Sequence, residues 1–103
     1  MRVTKEIAEI RYFEFNKTCN ICNVGKNMSE KEREKVAILE FPKVIKDDGK
    51  NWRVDIISFH NVKGVIKLGS YYFQEYYFPK LEKVKIPKGV QLFSEDGIEV
   101  ERY

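Results

Sequence analysis

The run KVIKDDGKNWRVDIISF, residues 43–59, decides the fold class that we predict for this chain. It holds two stretches rich in valine, isoleucine and aromatic residues, which are the residue types that favour β-strands. Between them stands Asp47-Asp48-Gly49-Lys50, and an Asp-Gly pair between two such stretches is a strong signal for a β-hairpin. We therefore predict two adjacent antiparallel strands here.

Similar β-prone stretches lie on both sides of this hairpin. They are residues 7–15 before it and residues 65–78, 81–86, 90–95 and 98–102 after it. Asp96-Gly97 predicts a second hairpin between the last two stretches, and Gly69 predicts a bulge or bend. Turn residues recur about every eight to twelve positions. The pattern predicts a β-rich α+β fold, a small antiparallel barrel or curled sheet of about six to eight strands.

One short helix is expected within this sheet protein, over about residues 30–39. Ser29 and Glu32 have the spacing of a capping box, in which each side chain bonds the other residue's backbone N–H. The residues that follow, EKEREKVAILE, are mostly good helix formers. Pro42 disfavours helical geometry at the residue before it, so the helix must end by Phe41.

Residues 16–29 are rich in asparagine and glycine, so we predict a long loop there. The loop carries both cysteines, Cys19 and Cys22. Two thiolates at this spacing can form one side of a tetrahedral zinc site. His60, the only histidine, and a carboxylate such as Asp47 or Asp48 would have to complete it.

The remaining chemistry of the sequence does not predict an enzyme. His60 has no serine or cysteine neighbour at a recognisable spacing. The six glycines are scattered and form no phosphate-binding loop. The cysteines precede no helix that would lower a thiol pKa, which disfavours a redox pair. We predict a non-enzymatic protein without a cofactor, with zinc at Cys19 and Cys22 as the alternative.

The most unusual stretch is YYFQEYYF, residues 71–78, which holds six of the fourteen aromatic residues and is called the tyrosine segment below. As a strand it divides its rings equally, because alternate side chains face opposite ways. Tyr71, Phe73 and Tyr77 form one set, and Tyr72, Tyr76 and Phe78 form the other. One set is expected in the core, which leaves the other set for contacts. The sequence does not say which.

Charge is nearly balanced, with 19 basic and 16 acidic residues and a net charge of +3. A net charge this small does not by itself indicate a nucleic-acid partner. Its distribution is uneven, since residues 63–88 contain six lysines and two carboxylates. Lys63, Lys67 and Lys80 therefore give the tyrosine segment a basic border.

Three functions are compatible with these features. The first is a small binding protein that recognises a protein or nucleoprotein partner, in the form of an inhibitor or accessory factor such as mobile elements encode. Its contact residues would be Tyr71, Tyr72, Tyr76, Tyr77, Lys63, Lys67 and Lys80. The alternative is a nucleic-acid-binding module, in which the lysines of residues 63–88 contact phosphates and exposed tyrosines stack on bases. The third is a zinc- or thiol-dependent protein built on Cys19 and Cys22.

The length and the N-terminal residues predict where such a protein acts. A chain of 103 residues has room for one domain, here residues 1–103. The first fifteen residues carry frequent charges instead of the apolar stretch of a signal peptide, and no run is long enough to span a membrane. We therefore predict a cytoplasmic protein in which a structural disulfide is not expected. The oligomeric state is not predicted.

Overall fold

A computed structural model describes residues 1–61, 64–68, 71–94 and 98–103, with backbone alone for 64–68, 71–75 and 94. These residues form ten strands and one helix. The strands are β1 (Glu9–Phe13), β2 (Thr18–Cys22), β3 (Ile38–Glu40), β4 (Val44–Asp47), β5 (Lys50–Phe59), β6 (Gly64–Leu68), β7 (Tyr71–Glu75), β8 (Lys83–Ile86), β9 (Gln91–Ser94) and β10 (Glu99–Arg102), and the helix is α1 (Glu30–Arg33). The predicted β-rich fold with a single short helix is confirmed.

The ten-residue strand β5 is the centre of the larger sheet, which is curled like a half-barrel. The strand order is β1-β2-β5-β4, and β9 also pairs with β5. On one side β5 pairs with β2 in parallel. On the other side its first residues pair with β4 in antiparallel orientation and its last residues pair with β9 in parallel.

The other strands form two smaller sheets. β8 lies between β10 and β3 and is parallel to both. β6 and β7 form an antiparallel pair. The chain start joins the three-stranded sheet, since Arg2 bridges to Glu40. Among the described strands, β6 and β7 pair only with each other.

One hydrophobic core packs the five-stranded sheet against the three-stranded sheet in a compact domain. Three phenylalanines from different parts of the chain are fully buried in it, Phe41, Phe59 and Phe78. The ring of Phe59 lies 6.1 Å from the rings of both others, in edge and tilted arrangements that aromatic pairs prefer. Aliphatic side chains from the five-stranded and three-stranded sheets complete the core, among them Ile21, Leu39, Val54, Ile57, Val84 and Ile86, and Val3 joins them from the chain start.

The β4–β5 hairpin confirms the prediction from residues 43–59. Asp47 pairs with Lys50, so the turn consists of Asp48 and Gly49 alone. Both have positive φ, 51° and 72°, as a type I′ turn requires. This turn type matches the right-handed twist of the flanking strands, which is why the short Asp-Gly link suffices.

The helix begins where predicted and ends early. The capping box is formed: Ser29 Oγ accepts a bond from Glu32 N–H at 3.1 Å, and Glu32 Oε1 accepts one from Ser29 N–H at 3.0 Å. However, α1 ends at Arg33, and Ile38–Glu40 forms β3 instead of helix. Pairing with β8 buries Leu39 completely, and this burial outweighs the modest helix propensity of the segment.

The predicted long loop over residues 16–29 is wrong for its first part. Thr18–Cys22 is strand β2, which lies between β1 and β5. Cys19 and Ile21 alternate toward the core and are both fully buried. Pairing on both edges and this burial stabilise a strand that the asparagine-rich local sequence does not favour.

The predicted antiparallel arrangement is only partly correct. The pairs β2–β5, β5–β9, β3–β8 and β8–β10 are all parallel. The second predicted hairpin does not form, because β9 and β10 belong to different sheets. Its turn residues, Asp96 and Gly97, and the bulge predicted at Gly69 lie outside the described residues.

Candidate partner-binding surface

The structure describes the side chains of the last three residues of the tyrosine segment, 76–78, and these three aromatic rings are exposed to different degrees. β7 ends at Glu75, so the segment is not one continuous strand as the sequence suggested. Phe78 is fully buried in the core and Tyr76 is half-buried. Tyr77 is 39% exposed and can contact a partner. The predicted division of this segment between core and surface therefore holds for residues 76–78.

Asn61 fixes the backbone at this end of the segment. Its Oδ1 accepts a hydrogen bond from Phe78 N–H at 2.7 Å, and its Nδ2 donates to Phe78 O at 3.0 Å. One side chain thus bonds both polar backbone groups of a buried residue, and it is the partner that the buried N–H requires, since Phe78 O also accepts from Leu81 N–H at 3.2 Å. Phe78 is held in the core by a polar contact as well as by ring packing.

Arg33, at the end of α1, holds the neighbouring residues. Its guanidinium lies 5.4 Å from the ring centre of Tyr76 and donates to the carbonyl oxygens of Tyr77, at 3.3 Å, and Met28, at 2.7 Å. Gly25 packs against the same place, because a Cβ atom there would lie 2.5 Å from Tyr76 Cβ. Tyr77 is therefore displayed from a fixed backbone.

Most of the other predicted contact residues belong to the β6–β7 pair or lie near it. Lys67 is the register partner of Tyr72, and Leu68 is that of Tyr71. The side chains of Lys67, Tyr71 and Tyr72, and all of Lys63, lie outside the described residues. Lys80 is exposed just after the segment.

A second aromatic surface was missed by the sequence analysis. Phe13 ends β1 and is 46% exposed, and Phe15 in the following turn is fully exposed. We call residues 13–17 the phenylalanine turn. Ile10 and Tyr12 of β1 pack against the core. Since alternate residues of a strand face opposite sides, Phe13 lies on the other side, and this alternation was the signal available in the sequence.

Side-chain contacts hold the phenylalanine turn in place. Glu14 accepts hydrogen bonds from Lys17 and from Lys50 of the neighbouring hairpin, the second at 3.3 Å, and these bonds lower the Glu14 pKa. Both lysines also lie over the Trp52 ring, 5.4 and 5.9 Å from its centre. The turn is therefore tied to the β4–β5 hairpin.

The two aromatic surfaces lie toward opposite ends of β5. The phenylalanine turn contacts Lys50 and Trp52 at the start of β5. Phe78 packs on Phe59 at the end of β5. A ten-residue strand is about 30 Å long at the usual rise per residue. A small partner contact would therefore use one surface and leave the other free.

The two cysteines have different surroundings. Cys19 is fully buried, its Sγ donates to Trp52 O at 3.7 Å, and burial raises the pKa of its thiol to about 11. Cys22 is half-buried, and its Sγ donates to Glu9 Oε2 at 3.0 Å. Three positions apart on a strand, the two side chains face opposite sides. The predicted two-thiol half of a zinc site is not formed in this geometry.

His60 follows the end of β5 and is half-buried. Neither Asp47 nor Asp48 can join it, because Asp47 ends β4 and Asp48 lies in the turn before the opposite end of β5. Across the described ranges, no three histidine, cysteine or acidic side chains are grouped closely enough to hold a metal ion. In those ranges, too, no helix is long and apolar enough to cross a membrane.

Comparison with known proteins gives no relative from which a role could be transferred. No protein-family model matches the chain, and no significant match was found among curated proteins or solved structures.

Proposed function

We propose that this protein is a non-enzymatic binding protein that recognises a protein partner, and that Phe13 and Phe15 are its main contact residues. The observation that carries the proposal is the full exposure of Phe15 beside the half-exposed Phe13. Aromatic residues are enriched in protein interfaces, where they supply much of the buried apolar area. Burial of a phenylalanine side chain contributes about 1.5–3 kcal/mol.

The contacts of the phenylalanine turn favour tight binding. Glu14 is bonded to Lys17 and Lys50, and Thr18 Oγ1 donates to Asn16 Oδ1 at 2.7 Å. A turn that is already held in its bound shape loses less conformational entropy on association. Phe15 can thus enter an apolar pocket of the partner without rearrangement of its backbone.

The charges around the turn favour a protein partner over nucleic acid. Glu14 stands between the two phenylalanines, and its side chain is 64% exposed. It would repel a phosphate backbone that approached the rings. The nearby Lys17 and Lys50 are already paired with Glu14, so they are not free to replace the counterions of a nucleic acid.

The tyrosine segment is the second candidate surface. Tyr77 is exposed from a backbone fixed by Arg33, and Lys80 follows it. Tyrosine with nearby lysine suits a nucleoprotein partner or single-stranded nucleic acid, as the sequence predicted. The cytoplasmic location and the inhibitor or accessory role belong to the same proposal. The buried Cys19 gives no support to a thiol-dependent role.

Affinity capture from lysate of the source cells tests the proposal. The baits are the unchanged protein, a Phe13→Ala/Phe15→Ala variant, a Tyr77→Ala variant and a Phe93→Ala variant. Phe93→Ala is the control, because it removes from β9 a ring that is about as exposed as that of Phe13. We expect one protein to bind the unchanged bait, Tyr77→Ala and Phe93→Ala, and to be lost with the double variant. In binding assays with the purified partner, each phenylalanine should account for a loss of about tenfold or more.

The same experiment has outcomes that would contradict the proposal. Capture that survives the double variant but is lost with Tyr77→Ala would move the contact to the tyrosine segment. Capture that disappears after nuclease treatment would show that the bait binds nucleic acid. The melting temperature of Phe15→Ala alone should be nearly unchanged, because Phe15 is fully exposed in the unbound protein, whereas loss of the half-buried Phe13 ring should make the double variant slightly less stable.

A further inference from the structure

A basic cleft lies where the five-stranded sheet meets the three-stranded sheet, and it has no role in the proposed contact. Its cationic residues come from distant parts of the chain: Lys43 precedes β4, Arg53 lies in β5 and Lys88 follows β8. The cleft has a volume of about 380 Å³. Pockets for small ligands are typically about 300–1,000 Å³.

The cations at this cleft are not neutralised by the protein. Several other described lysines pair with carboxylates, as Lys5 does with Asp47 and Lys85 with Glu101. Lys43, Arg53 and Lys88 form no such ion pair with any residue in the described ranges. Within the same ranges, no acidic side chain lines the cleft. Three positively charged residues therefore line one concave surface and are not ion-paired within the described ranges.

The backbone holds these residues firmly. Arg53 N–H donates to Lys17 O, and Val54 N–H donates to Lys43 O, both at 2.9 Å. Lys88 N–H donates to the main-chain oxygen of Tyr103 at 2.7 Å. The cleft is thus formed by paired strands and tight turns, and the backbone that carries its charged side chains is held in place before any ligand arrives.

The other walls of the cleft are apolar or aromatic. Val54, Val90 and Pro87 line it, and all three are buried. The Lys43 ammonium group lies 5.6 Å from the centre of the Tyr103 ring, and the Tyr103 hydroxyl donates to Phe41 O. Arg102 donates to Val90 O at 2.7 Å and supports the turn that carries Lys88.

We propose that this cleft binds the phosphoryl group of a small organic molecule. A guanidinium fork and two ammonium groups match the several oxygens of a phosphoryl group. The volume exceeds what a phosphoryl group alone would fill, and the valine and proline walls suit an apolar organic part. The limited volume of this half-open cleft favours a small ligand over the extended backbone of a nucleic acid.

Titration of the purified protein tests the site without any partner, so its result is independent of the phenylalanine turn. The probes are inorganic phosphate and inorganic pyrophosphate, followed by changes in backbone amide signals in NMR spectra. We expect saturable shifts confined to residues near Arg53, Lys88 and Gly89. Arg53→Gln and Lys88→Gln should each weaken binding of pyrophosphate by about tenfold or more, since hydrogen bonds to charged groups are worth about 1.5–3 kcal/mol.

Lys31→Gln and Lys35→Gln are matched controls, because they remove the same charge from exposed positions in and just after α1. They should leave binding unchanged within about twofold. The proposal is overturned if these controls weaken binding as much as the cleft variants do, or if neither probe shifts the cleft signals. It is also overturned if a single-stranded oligonucleotide binds through the same residues more tightly than pyrophosphate does.

Discussion

At the scale of single residues, Asn61 makes the contact with the clearest expected effect on stability. Asn61→Ala leaves the N–H of buried Phe78 without its partner, while Phe78 O keeps the hydrogen bond from Leu81 N–H. A buried polar group left unsatisfied costs about 1–3 kcal/mol, so we expect the free energy of unfolding to fall by about 1–3 kcal/mol. Urea denaturation followed by circular dichroism measures this loss.

Asn51→Ala is the matched control for Asn61, because Asn51 is an exposed asparagine in β5. It should change the urea midpoint little. Equal effects of the two substitutions would show that the contact with Phe78 is not what stabilises the domain.

Cys19 gives a prediction about reactivity. Its thiol is fully buried, and burial raises its pKa to about 11, so at pH 8 it is both inaccessible and protonated. In a Cys22→Ser variant we expect almost no reaction with an aromatic disulfide reagent at pH 8, and one thiol per chain after addition of denaturant. Rapid labelling of the native variant would contradict the burial of Cys19.

At the scale of elements, the packing of residues 23–28 against the tyrosine segment depends on Gly25. It has φ of 105°, and a Cβ atom there would lie 2.5 Å from Tyr76 Cβ. Gly49 also has positive φ, at 72°, but a Cβ atom there would meet nothing within 4 Å. Gly49→Ala should therefore cost about 1 kcal/mol, from backbone strain alone.

Gly25→Ala should cost more, because the overlap with Tyr76 adds about 1–3 kcal/mol to the same backbone strain. Thermal unfolding of the two variants gives the comparison. If they lower the melting temperature equally, Tyr76 does not pack closely on Gly25.

The elements also show what could be predicted from the sequence. The β4–β5 hairpin and the capping box at Ser29 were predictable because their signals lie within a few residues of the structure that they form. β2 was not predictable in this way, because its asparagine-rich sequence becomes a strand through pairing with β5, far along the chain. The turn chemistry at Asp96-Gly97 likewise did not determine how β9 and β10 pair.

The candidate surfaces also depend on contacts between distant parts of the chain. The sequence predicted that Tyr77 and Phe78 lie on opposite sides but not which of them is buried, because that depends on the packing of Phe78 against Phe59. The exposure of Phe15 depends on which side of β1 faces the core. The three cations of the basic cleft meet only because two sheets pack together, so no local pattern indicated that site.

At the scale of the whole molecule, stability should decrease at alkaline pH. Burial raises the pKa of Cys19 to about 11 and that of Tyr12 to about 12. The folded protein keeps these protons at a pH where the unfolded chain loses them, so unfolding releases protons. We expect the free energy of unfolding to fall as the pH rises from about 9 through 11 and above, as measured by urea midpoints.

Cys19→Ala separates the two groups in this measurement. The variant should lose stability less steeply with pH between about 9 and 11, where the Cys19 thiol titrates, and the Tyr12 contribution at higher pH should persist. An unchanged slope in that range would show that other groups control the alkaline transition.

The parallel strand pairs have a consequence for the rate at which the protein folds. β2 with β5, β5 with β9, and β3 with β8 each join segments that are far apart in the chain. Such pairs form only after a long loop has closed, and domains dominated by them fold in milliseconds to seconds instead of microseconds. Trp52, the only tryptophan, would report this in stopped-flow refolding. Until the loops close, strand edges stay exposed, so refolding yield should fall as protein concentration rises.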